Sequence, residues 1–340
     1  MRLFPFIFIS FIFVLSACVN AAVPQATEAI AIHPEQAPTP TSLAATQARS
    51  AEKLERTPAS VQTATVQKPQ IPEFEHILIV VFENRNYKAV IGNSKMPAIN
   101  ALAEKNVLLT NYYGVTHPSL PNYISLVGGN TFGIKSDCTD CWLDQPSLPD
   151  LLEGSGRSWK TYQEGLPSPC FVGSSGSYAQ KHDPFIYFDS IRNNPDRCKR
   201  SIVSFDALGP DLEVNQLPNF AFIVPDMCHS AHDCDVDAAD TWLDQLMNRL
   251  LGSTALGNKY LVVITFDESG NDNSSCCGLP AKAGGKVVTV LVSPQARSGF
   301  QDSTAYSHYS LLKTISLAWS LPILGFAGNQ ATQAILAPWQ

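Results

Sequence analysis

Four apolar runs along the chain predict strands that are buried on both faces. They occupy residues 77–82, 220–224, 260–266 and 287–292. Largely continuous apolar runs of this length suit the strands of a parallel sheet, because helices cover both faces of such a sheet. We therefore predict a sheet that is mainly parallel.

Three further segments carry apolar residues at helical spacing, over residues 96–105, 240–251 and 309–319. In the second of them Trp242, Leu246 and Leu250 recur every fourth residue and mark one face of a helix. Buried strands that alternate with amphipathic helices are typical of an α/β fold. The pattern predicts one domain over residues 73–340, with helices on both sides of the sheet.

The first residues resemble an export signal. Arg2 precedes an apolar run over residues 3–15, which has the length of a signal-peptide core and is short for a membrane span. The run leads into LSAC at residues 15–18, which resembles a bacterial lipobox and would make Cys18 the lipidated first residue of a cell-envelope lipoprotein. Cleavage after residue 21, which releases a free protein, is the alternative, and both readings predict export. Residues 19–72, rich in Ala, Pro, Thr and Gln, are predicted to form a disordered tether.

Composition and charge narrow the class of partner. The 340 residues are 45% hydrophobic and 16% charged, which is ordinary for a globular protein with a sizeable core. The formal net charge of -7 argues against a nucleic-acid partner, because phosphate-backbone binding needs a basic face. A small anionic substrate is compatible with this charge, since a bound metal ion reverses the local field. The only membrane contact expected is the lipid anchor, and the sequence leaves the oligomeric state open.

Cysteine usage also indicates export. Of the nine cysteines, Cys18 belongs to the lipobox, which leaves an even number in the domain. An even number in an exported protein predicts disulfides, here expected to stiffen long loops. A zinc site at Cys138 and Cys141 is disfavoured because no second pair with zinc-like spacing follows. The connectivity of the bridges stays open.

Polar residues directly follow two of the predicted strands. Glu83 and Asn84 follow the first, and Asp267 and Glu268 follow the third along the chain. Ligands of open α/β sheets bind beyond the carboxyl ends of the strands, so these side chains are expected to meet there. Burying three acids together is costly unless a cation neutralises them, and oxygen ligands favour Ca²⁺, Mg²⁺ or Mn²⁺. Taken singly, each pair has a simpler reading, as a helix cap or the start of a solvated loop.

A stiff segment, THPSLPN at residues 116–122, carries a candidate nucleophile. Pro118 and Pro121 restrict the backbone on both sides of Ser119, and Asn122 is suited to a local hydrogen bond that starts a turn or helix. A hydroxyl held in this way needs little reorganisation to face both a metal ion and a phosphorus atom, and metal coordination would lower its pKa. The simpler reading is that Ser119 caps a helix over residues 123–127.

Seven short motifs stand in a fixed order between residues 83 and 315. They are ENRNY at 83–87, HPSLPNY at 117–123, KHDPFIYF at 181–188, PNFAFIVPD with CHSAHDC at 218–234, D-x-WL at 240–243, TFDE at 265–268 and HYSLLKTI at 308–315. The series resembles the phosphoesterase family, which contains acid phosphatases and phospholipases C and belongs to the alkaline phosphatase superfamily. The resemblance covers nearly all of residues 73–320. It implies an alkaline phosphatase-like three-layer αβα sandwich and a phosphoserine intermediate.

The resemblance also implies a role for each matching position. Ser119 matches the nucleophile, and His117 or His308 is expected to protonate the leaving group. The implied metal ligands are Glu83, Asn84, Ser119, Asp267 and Glu268, and the implied phosphate-binding residues are His182, His229, His232 and Asp137. Where the family usually resembles NDMHD, this chain reads PDMCHSAHD at residues 225–233. The choice between His229 and His232, with Asp226 or Asp233, therefore stays open.

These observations predict an exported phosphoesterase that uses one divalent metal ion to hydrolyse small phosphate monoesters. Five of the seven histidines fall in the motifs, and as a group they suit hydrogen bonding to phosphoryl oxygens. The sequence has neither a nucleotide-binding glycine motif nor the G-x-S-x-G elbow of carboxylesterases. The alternatives are a phospholipase C and a surface binding protein that has kept the fold without the chemistry. The polar loop at residues 270–284 is expected to border the pocket.

Overall fold

The computed structural model of the protein describes residues 71–339. The predicted signal peptide, the lipobox at Cys18 and nearly all of the predicted tether lie outside this range and remain predictions. Within residues 71–339, no helix is both long enough and apolar enough to cross a bilayer.

A nine-stranded sheet forms the centre of the domain. Its strands are β1 (His76–Phe82), β2 (Val107–Tyr113), β3 (Trp159–Gln163), β4 (Ile202–Ser204), β5 (Phe220–Val224), β6 (Tyr260–Phe266), β7 (Lys286–Val292), β8 (Gln301–Asp302) and β9 (Tyr306–Ser307). Their order is β4-β3-β5-β1-β6-β7-β2-β8, and β9 also pairs with β2. All neighbours are parallel except those of β7, which runs antiparallel to both β6 and β2. The prediction of a mainly parallel sheet is confirmed.

Helices connect and flank the strands. They are α1 (Tyr87–Val90), α2 (Pro97–Lys105), α3 (Ser119–Gly128), α4 (Leu148–Gly154), α5 (Asp189–Arg192), α6 (Pro195–Ser201), α7 (Leu208–Glu213), α8 (Val236–Leu251) and α9 (His308–Ala318), joined by short 3₁₀ turns such as Gln180–His182 and Pro184–Tyr187. Helix α2 packs against α8, and α3 packs against α9. The predicted α/β architecture with a helix-covered sheet is confirmed.

The elements that sequence patterning missed are the ones with mixed composition. All four apolar runs form strands and all three predicted helices form, with ends shifted by a few residues. Strands β2 (VLLTNYY) and β3 (WKTYQ) lack a continuous apolar run, yet every position of β3 except Lys160 is buried. Polar groups such as Thr161 are accommodated there because the sheet ladder and neighbouring side chains satisfy them. Tertiary context decided these strands, as it often does for β structure.

Strand β1 and its neighbour β6 position the acidic residues of the candidate site. Strand β1 lies between β5 and β6 in the sheet and is paired with β6 along its whole length. The register ends with Phe82 opposite Phe266, so Glu83 and Asp267 leave the sheet side by side. The backbone N–H of Asp267 donates to the carbonyl of Phe82 at 2.9 Å, which extends the ladder to the site itself.

Four disulfides pair all the cysteines between residues 71 and 339. They join Cys138 to Cys141, Cys170 to Cys198, Cys228 to Cys234 and Cys276 to Cys277. The partners are 3, 28, 6 and 1 residues apart. Disulfides in this number are typical of proteins that fold outside the cytosol. Because loop-closure entropy grows with loop length, the expected stiffening of long loops applies only to the bridge between Cys170 and Cys198.

Candidate active site

Three buried acids meet at the carboxyl ends of β1 and β6. Asn84 adopts a left-handed backbone conformation, with φ of 54°, and its N–H donates to Asp267 Oδ1 at 3.0 Å. Asparagine visits this conformation more readily than most residues, so the turn suits the sequence. Glu83, Asp267 and Glu268 are all at most 4% exposed. The simpler readings, a helix cap and a solvated loop, do not describe these pairs.

Ser119 is the first residue of α3 and points into this group of acids. Its hydroxyl donates to Glu83 Oε2 at 2.9 Å. The residue as a whole is only 2% exposed. One turn further along α3, the hydroxyl of Tyr123 donates to Glu83 Oε1 at 2.6 Å. The N-cap position of α3 is Pro118, so Ser119 is not the capping residue. The hydroxyl is therefore committed to the acidic group rather than to the helix end.

Asn122 holds the segment that delivers Ser119. Its Oδ1 accepts the backbone N–H groups of Val115 and Thr116, at 2.8 and 3.1 Å. Its Nδ2 donates to the carbonyls of Thr116 and Pro118, at 2.8 and 2.9 Å. All four bonds of one buried amide thus tie the segment before the helix to the first turn of α3, which is the local role expected of this residue.

The pKa values of Glu83 and Asp267 are shifted in opposite directions. Burial alone would raise the pKa of Glu83, but His182, Tyr123 and Lys181 outweigh it and lower the pKa to about 2. Burial, followed by the negative charge of Glu83, raises the pKa of Asp267 well above its usual range. Two adjacent buried carboxylates are unfavourable when both are ionised without a cation between them.

The same acids carry the signs of a metal site. Asp267 Oδ2 and Glu268 Oε2 are buried and lack hydrogen-bond partners, although Glu268 Oε2 contacts His117 Nδ1. Unpartnered buried carboxylate oxygens are rare, and an oxygen-rich donor set is what hard divalent cations prefer. The residues present therefore fit a Ca²⁺, Mg²⁺ or Mn²⁺ ion.

Two histidines, His182 and His117, lie beside these acids and differ in their exposure to solvent. His182 is buried, stacks on Tyr123 with ring centroids 5.1 Å apart, and brings Nε2 to 3.2 Å from Glu83 Oε1 without hydrogen-bond alignment. The side chain of His117 is 27% exposed, and its Nε2–H donates to the carbonyl of Asp272 at 3.2 Å. Both lie against the carboxylates that surround Ser119.

His308 lies behind the site. It is fully buried, and its Nε2–H donates to the backbone carbonyl of Asp267 at 2.6 Å while Nδ1 accepts from the Tyr112 hydroxyl at 3.2 Å. Burial lowers the pKa of His308 to about 4, so the ring is neutral over most of the pH range. Because it is fully buried and held between Asp267 and Tyr112, His308 is positioned to orient Asp267, and no contact with Ser119 supports the role of proton donor predicted for it.

The two histidines of the PDMCHSAHD segment face different groups. The Nε2 of His232 lies 3.5 Å from Lys181 Nζ, and its ring is 6.2 Å from that of His182. The Nδ1–H of His232 donates to Asp233 Oδ1 at 2.7 Å. Of the two alternatives, His232 with Asp233 is the pair that adjoins the Ser119 site.

His229 belongs to a second cluster, with Glu164 and Asp226. Its Nδ1 lies 3.0 Å from both carboxylate oxygens of Glu164 and 3.5 Å from Asp226 Oδ1. These three residues form the one group, in the part of the chain described, whose ligand atoms all lie within 4.8 Å of one another and so could hold a metal ion. The phosphate-binding role predicted for His229 is not supported by contact with Ser119 or its acids.

Two polar residues link the site to the start of α3. Asp137 Oδ1 accepts the backbone N–H of Leu120 at 3.0 Å, and Asp137 Oδ2 pairs with Lys181 Nζ at 3.1 Å. Lys181 was not singled out from the sequence as a functional residue. The available signal was its position directly before His182 in the KHDP motif.

The loop between β6 and β7 adjoins the pocket, as expected for residues 270–284. The carbonyl of Asp272 accepts from His117, and the Ser269 hydroxyl donates to that same carbonyl at 2.7 Å. Gly114, at the end of β2, leaves no room for a side chain, since a Cβ there would lie 2.7 Å from the carbonyl of Asp267. This close backbone approach explains the glycine.

Known proteins resemble this chain over most of its length. An acid phosphatase of Aspergillus fumigatus is 34% identical over 285 residues, which cover 80% of this chain and 61% of that protein. A phosphatidylinositol-3-phosphatase of Mycobacterium tuberculosis is 33% identical over 263 residues, or 76% of this chain and 81% of that protein. This chain thus spans about three fifths of the fungal relative.

The fold resembles that of solved structures as well. A protein of the alkaline phosphatase superfamily from Vibrio parahaemolyticus superposes with a TM-score of 0.51 at 12% identity, covering 74% of this chain and 68% of the other. At that identity the likeness concerns the fold alone. The profile of the Phosphoesterase family matches residues 93–322, two thirds of the chain, and this chain belongs to that family.

Proposed function

We propose that the protein is an exported, metal-dependent phosphatase that hydrolyses phosphate monoesters through a phosphoserine. The observation that carries the proposal is the Ser119 hydroxyl, 2.9 Å from Glu83 Oε2, within a buried group of acids that has unpartnered oxygens. A structural serine would not need such surroundings, because burying several carboxylates is costly. The names of the acid phosphatase and phosphatidylinositol-3-phosphatase relatives support a monoester substrate.

Five residues would hold one divalent metal ion. They are Glu83, Asn84, Ser119, Asp267 and Glu268, the ligand set expected from the sequence. When bound, the ion would lower the pKa of the Ser119 hydroxyl and neutralise charge on the phosphoryl oxygens. Ca²⁺, Mg²⁺ and Mn²⁺ all suit this donor set.

The protein groups then have defined tasks in the reaction. Ser119 Oγ gives up its proton to solvent and attacks phosphorus in line, the bond from phosphorus to the ester oxygen breaks, and His117, the more exposed of the two candidate donors, protonates the departing oxygen. In the second step His117 takes a proton from the water that attacks the phosphoserine. The Ser119 oxygen regains a proton from solvent as inorganic phosphate leaves. His182, Lys181 and His232 stabilise charge on the transferred group, and His308 keeps Asp267 in place.

Two rivals make different demands. A phospholipase C would cleave diesters, whereas the described domain carries no appended lipid-binding domain among residues 71–339. A surface binding protein would keep the fold and lose the chemistry, yet Ser119 and all the predicted metal ligands are present. A binding protein leaves the buried acids around Ser119 unexplained, and the names of the relatives favour a phosphatase over a phospholipase C.

The decisive test is hydrolysis of matched aryl esters by the purified protein. We expect turnover of p-nitrophenyl phosphate to exceed that of bis(p-nitrophenyl) phosphate, to be abolished by a chelator and to return with Mg²⁺, Mn²⁺ or Ca²⁺. Faster cleavage of the diester and of phosphatidylcholine would favour a phospholipase C. No chelator-sensitive hydrolysis across a panel of esters would favour a binding protein.

We also propose that the protein is anchored by lipid at Cys18. Support comes from the LSAC tetrapeptide after an apolar run and from the disulfides, which suit an exported domain. Expression in a bacterial host should yield membrane-associated protein, and Cys18→Ala should release it into the soluble exported fraction. Unchanged distribution of that variant would contradict the anchor and leave the proposed catalysis untouched.

A further inference from the structure

We propose that Lys181 forms an anion subsite that selects the doubly charged phosphoryl group of monoesters over the singly charged group of diesters. The proposal deepens the proposed function and rests on it for the identity of the substrate. Lys181 was assigned no role on the basis of the sequence. Its ammonium group lies near His232 and pairs with Asp137, which binds the start of the helix that carries Ser119.

Lys181 is tied to the nucleophile through one intermediary. Its Nζ lies 3.1 Å from Asp137 Oδ2, and the other oxygen of Asp137 accepts the N–H of Leu120, the residue after Ser119, at 3.0 Å. The Lys181 side chain is 19% exposed, so it is held and still reachable from solvent. This chain of contacts ties the ammonium group to the first turn of the helix that carries the reacting hydroxyl.

The ammonium group has donors to spare. A lysine carries three N–H donors, of which Asp137 takes one and His232 Nε2, at 3.5 Å, is within reach of a second. A phosphoryl oxygen would therefore gain a charge-assisted hydrogen bond without displacing Asp137. His182 Nε2, buried and without a hydrogen-bond partner, lies 3.2 Å from Glu83 Oε1, and the His182 ring is 6.2 Å from that of His232.

Charge around Ser119 explains why this cation matters. The residues nearest to the hydroxyl are acids, and the positive charge of Lys181 favours the ionised form of both Glu83 and Asp267, against the larger effect of their burial. Arg85, a second cation beside a site residue, donates to the backbone carbonyl of Asn84. Lys181 is the cation that the contacts connect to α3.

Monoesters and diesters differ at the oxygen that would meet Lys181. A monoester loses its second proton with a pKa of about 6, so near neutral pH it carries an additional negative charge. A diester carries one charge and a second ester group, which offers a weaker acceptor in the same position. The ammonium group should therefore stabilise the monoester more, because it meets a negatively charged oxygen of the monoester and a neutral ester oxygen of the diester.

The test compares Lys181→Met and Lys181→Arg with a matched control, Lys160→Met. Lys160 also pairs with an acid, Asp211, at 2.5 Å, and its side chain is 24% exposed. We expect Lys181→Met to lower kcat/KM for p-nitrophenyl phosphate about 10- to 100-fold and for bis(p-nitrophenyl) phosphate less than about 3-fold. Lys181→Arg should restore most of the monoester activity, and Lys160→Met should change neither substrate.

A binding measurement separates failure of the subsite from failure of the proposed function. Inorganic phosphate should bind about 10-fold or more weakly to the Ser119→Ala/Lys181→Met double variant than to Ser119→Ala, by titration calorimetry. Equal losses on both esters, or unchanged phosphate binding, would overturn the subsite. If the parent protein hydrolysed neither ester while phosphate binding still required Lys181, the proposed function would fail and the subsite would stand.

Discussion

Two clusters of acids and histidine lie at the carboxyl edge of the same sheet and differ in how their oxygens are used. Around Ser119, the acids following β1 and β6 are buried, and two of their oxygens lack partners. Around His229, Glu164 follows β3 and Asp226 follows β5, and both are partly exposed. There, His229 and the backbone N–H groups of Asp226, Cys228 and His229 already satisfy the carboxylates.

The contrast teaches that closely spaced ligand atoms are a weaker sign of a metal site than buried carboxylate oxygens that lack hydrogen-bond partners. The possible ligand atoms of Glu164, Asp226 and His229 all lie within 4.8 Å of one another. Hydrogen bonds within the protein already account for their contacts without a metal ion. In the cluster around Ser119, Asp267 is fully buried and its Oδ2 has no hydrogen-bond partner within the protein. We therefore propose that the metal ion binds the cluster around Ser119 rather than the cluster of Glu164, Asp226 and His229, and the following changes test that proposal.

The largest effect is expected from Asp267→Asn. It removes a charged ligand from the Ser119 site while keeping the shape, so bound metal and activity on p-nitrophenyl phosphate should both fall, activity by at least about 10³-fold. Glu164→Gln is the matched change in the other cluster and should retain both. Metal content by mass spectrometry decides the matter, and loss of metal from Glu164→Gln alone would reverse the assignment.

His308→Gln should have the next largest effect. The histidine supports the backbone of Asp267 and makes no contact with the reacting groups, so metal affinity or activity should fall about 10- to 100-fold, as for other residues that orient a ligand. Added metal should recover part of the activity, because orientation rather than chemistry is lost. A loss that metal leaves unchanged, with an altered pH profile, would instead support proton donation by His308.

Asp183→Asn tests a carboxyl group that is buried but whose oxygens have hydrogen-bond partners. Asp183 is fully buried like Asp267, but its oxygens accept from Phe185 N–H and the Tyr178 hydroxyl. Burial raises the pKa of Asp183 to about 7, so the folded protein keeps a proton that the unfolded chain releases near pH 4. The resulting stability is present below pH 4 and is lost as pH rises through 7.

The variant should therefore gain stability over the parent as pH rises. Between pH 5 and pH 8 the difference in unfolding free energy should grow by about 3 kcal/mol in favour of Asp183→Asn. Denaturant unfolding at the two pH values measures it. A constant difference would mean that Asp183 stays ionised in the folded protein and that its pKa is not raised.

The smallest effect is expected from His229→Gln. Because His229 contacts Glu164 and Asp226 and none of the groups around Ser119, activity on p-nitrophenyl phosphate should change less than about 3-fold. His232→Gln, next to Lys181, is the comparison and should lower activity more. An equal or larger loss from His229→Gln would erase the distinction between the two clusters.

Local patterns carried much of this structure. Apolar runs located four strands, and the acids after two of them located the site, because parallel strands end at a common edge. The stiff segment around Ser119 was readable because proline and asparagine act locally. These inferences needed only a few neighbouring residues each.

Other features required the assembled fold. The direction of β7 depends on which edge its neighbours offer, and a buried run reads the same in both directions. The roles of Lys181 and His308 depend on contacts with residues 44 and 41 positions away. The choice between His229 and His232 rests on one tight turn between Cys228 and Cys234, which sends the two rings to different groups.

The reversed strand β7 has a consequence for variation among related enzymes. A parallel strand would return from the opposite edge of the sheet, but β7 starts at the edge where β6 ends. The intervening segment, residues 267–285, thus has both ends anchored at the edge of the sheet where the acids around Ser119 lie. Lengthening or replacing its middle would reshape the entrance for substrates while leaving the sheet untouched, which makes it a natural place for grafting new selectivity.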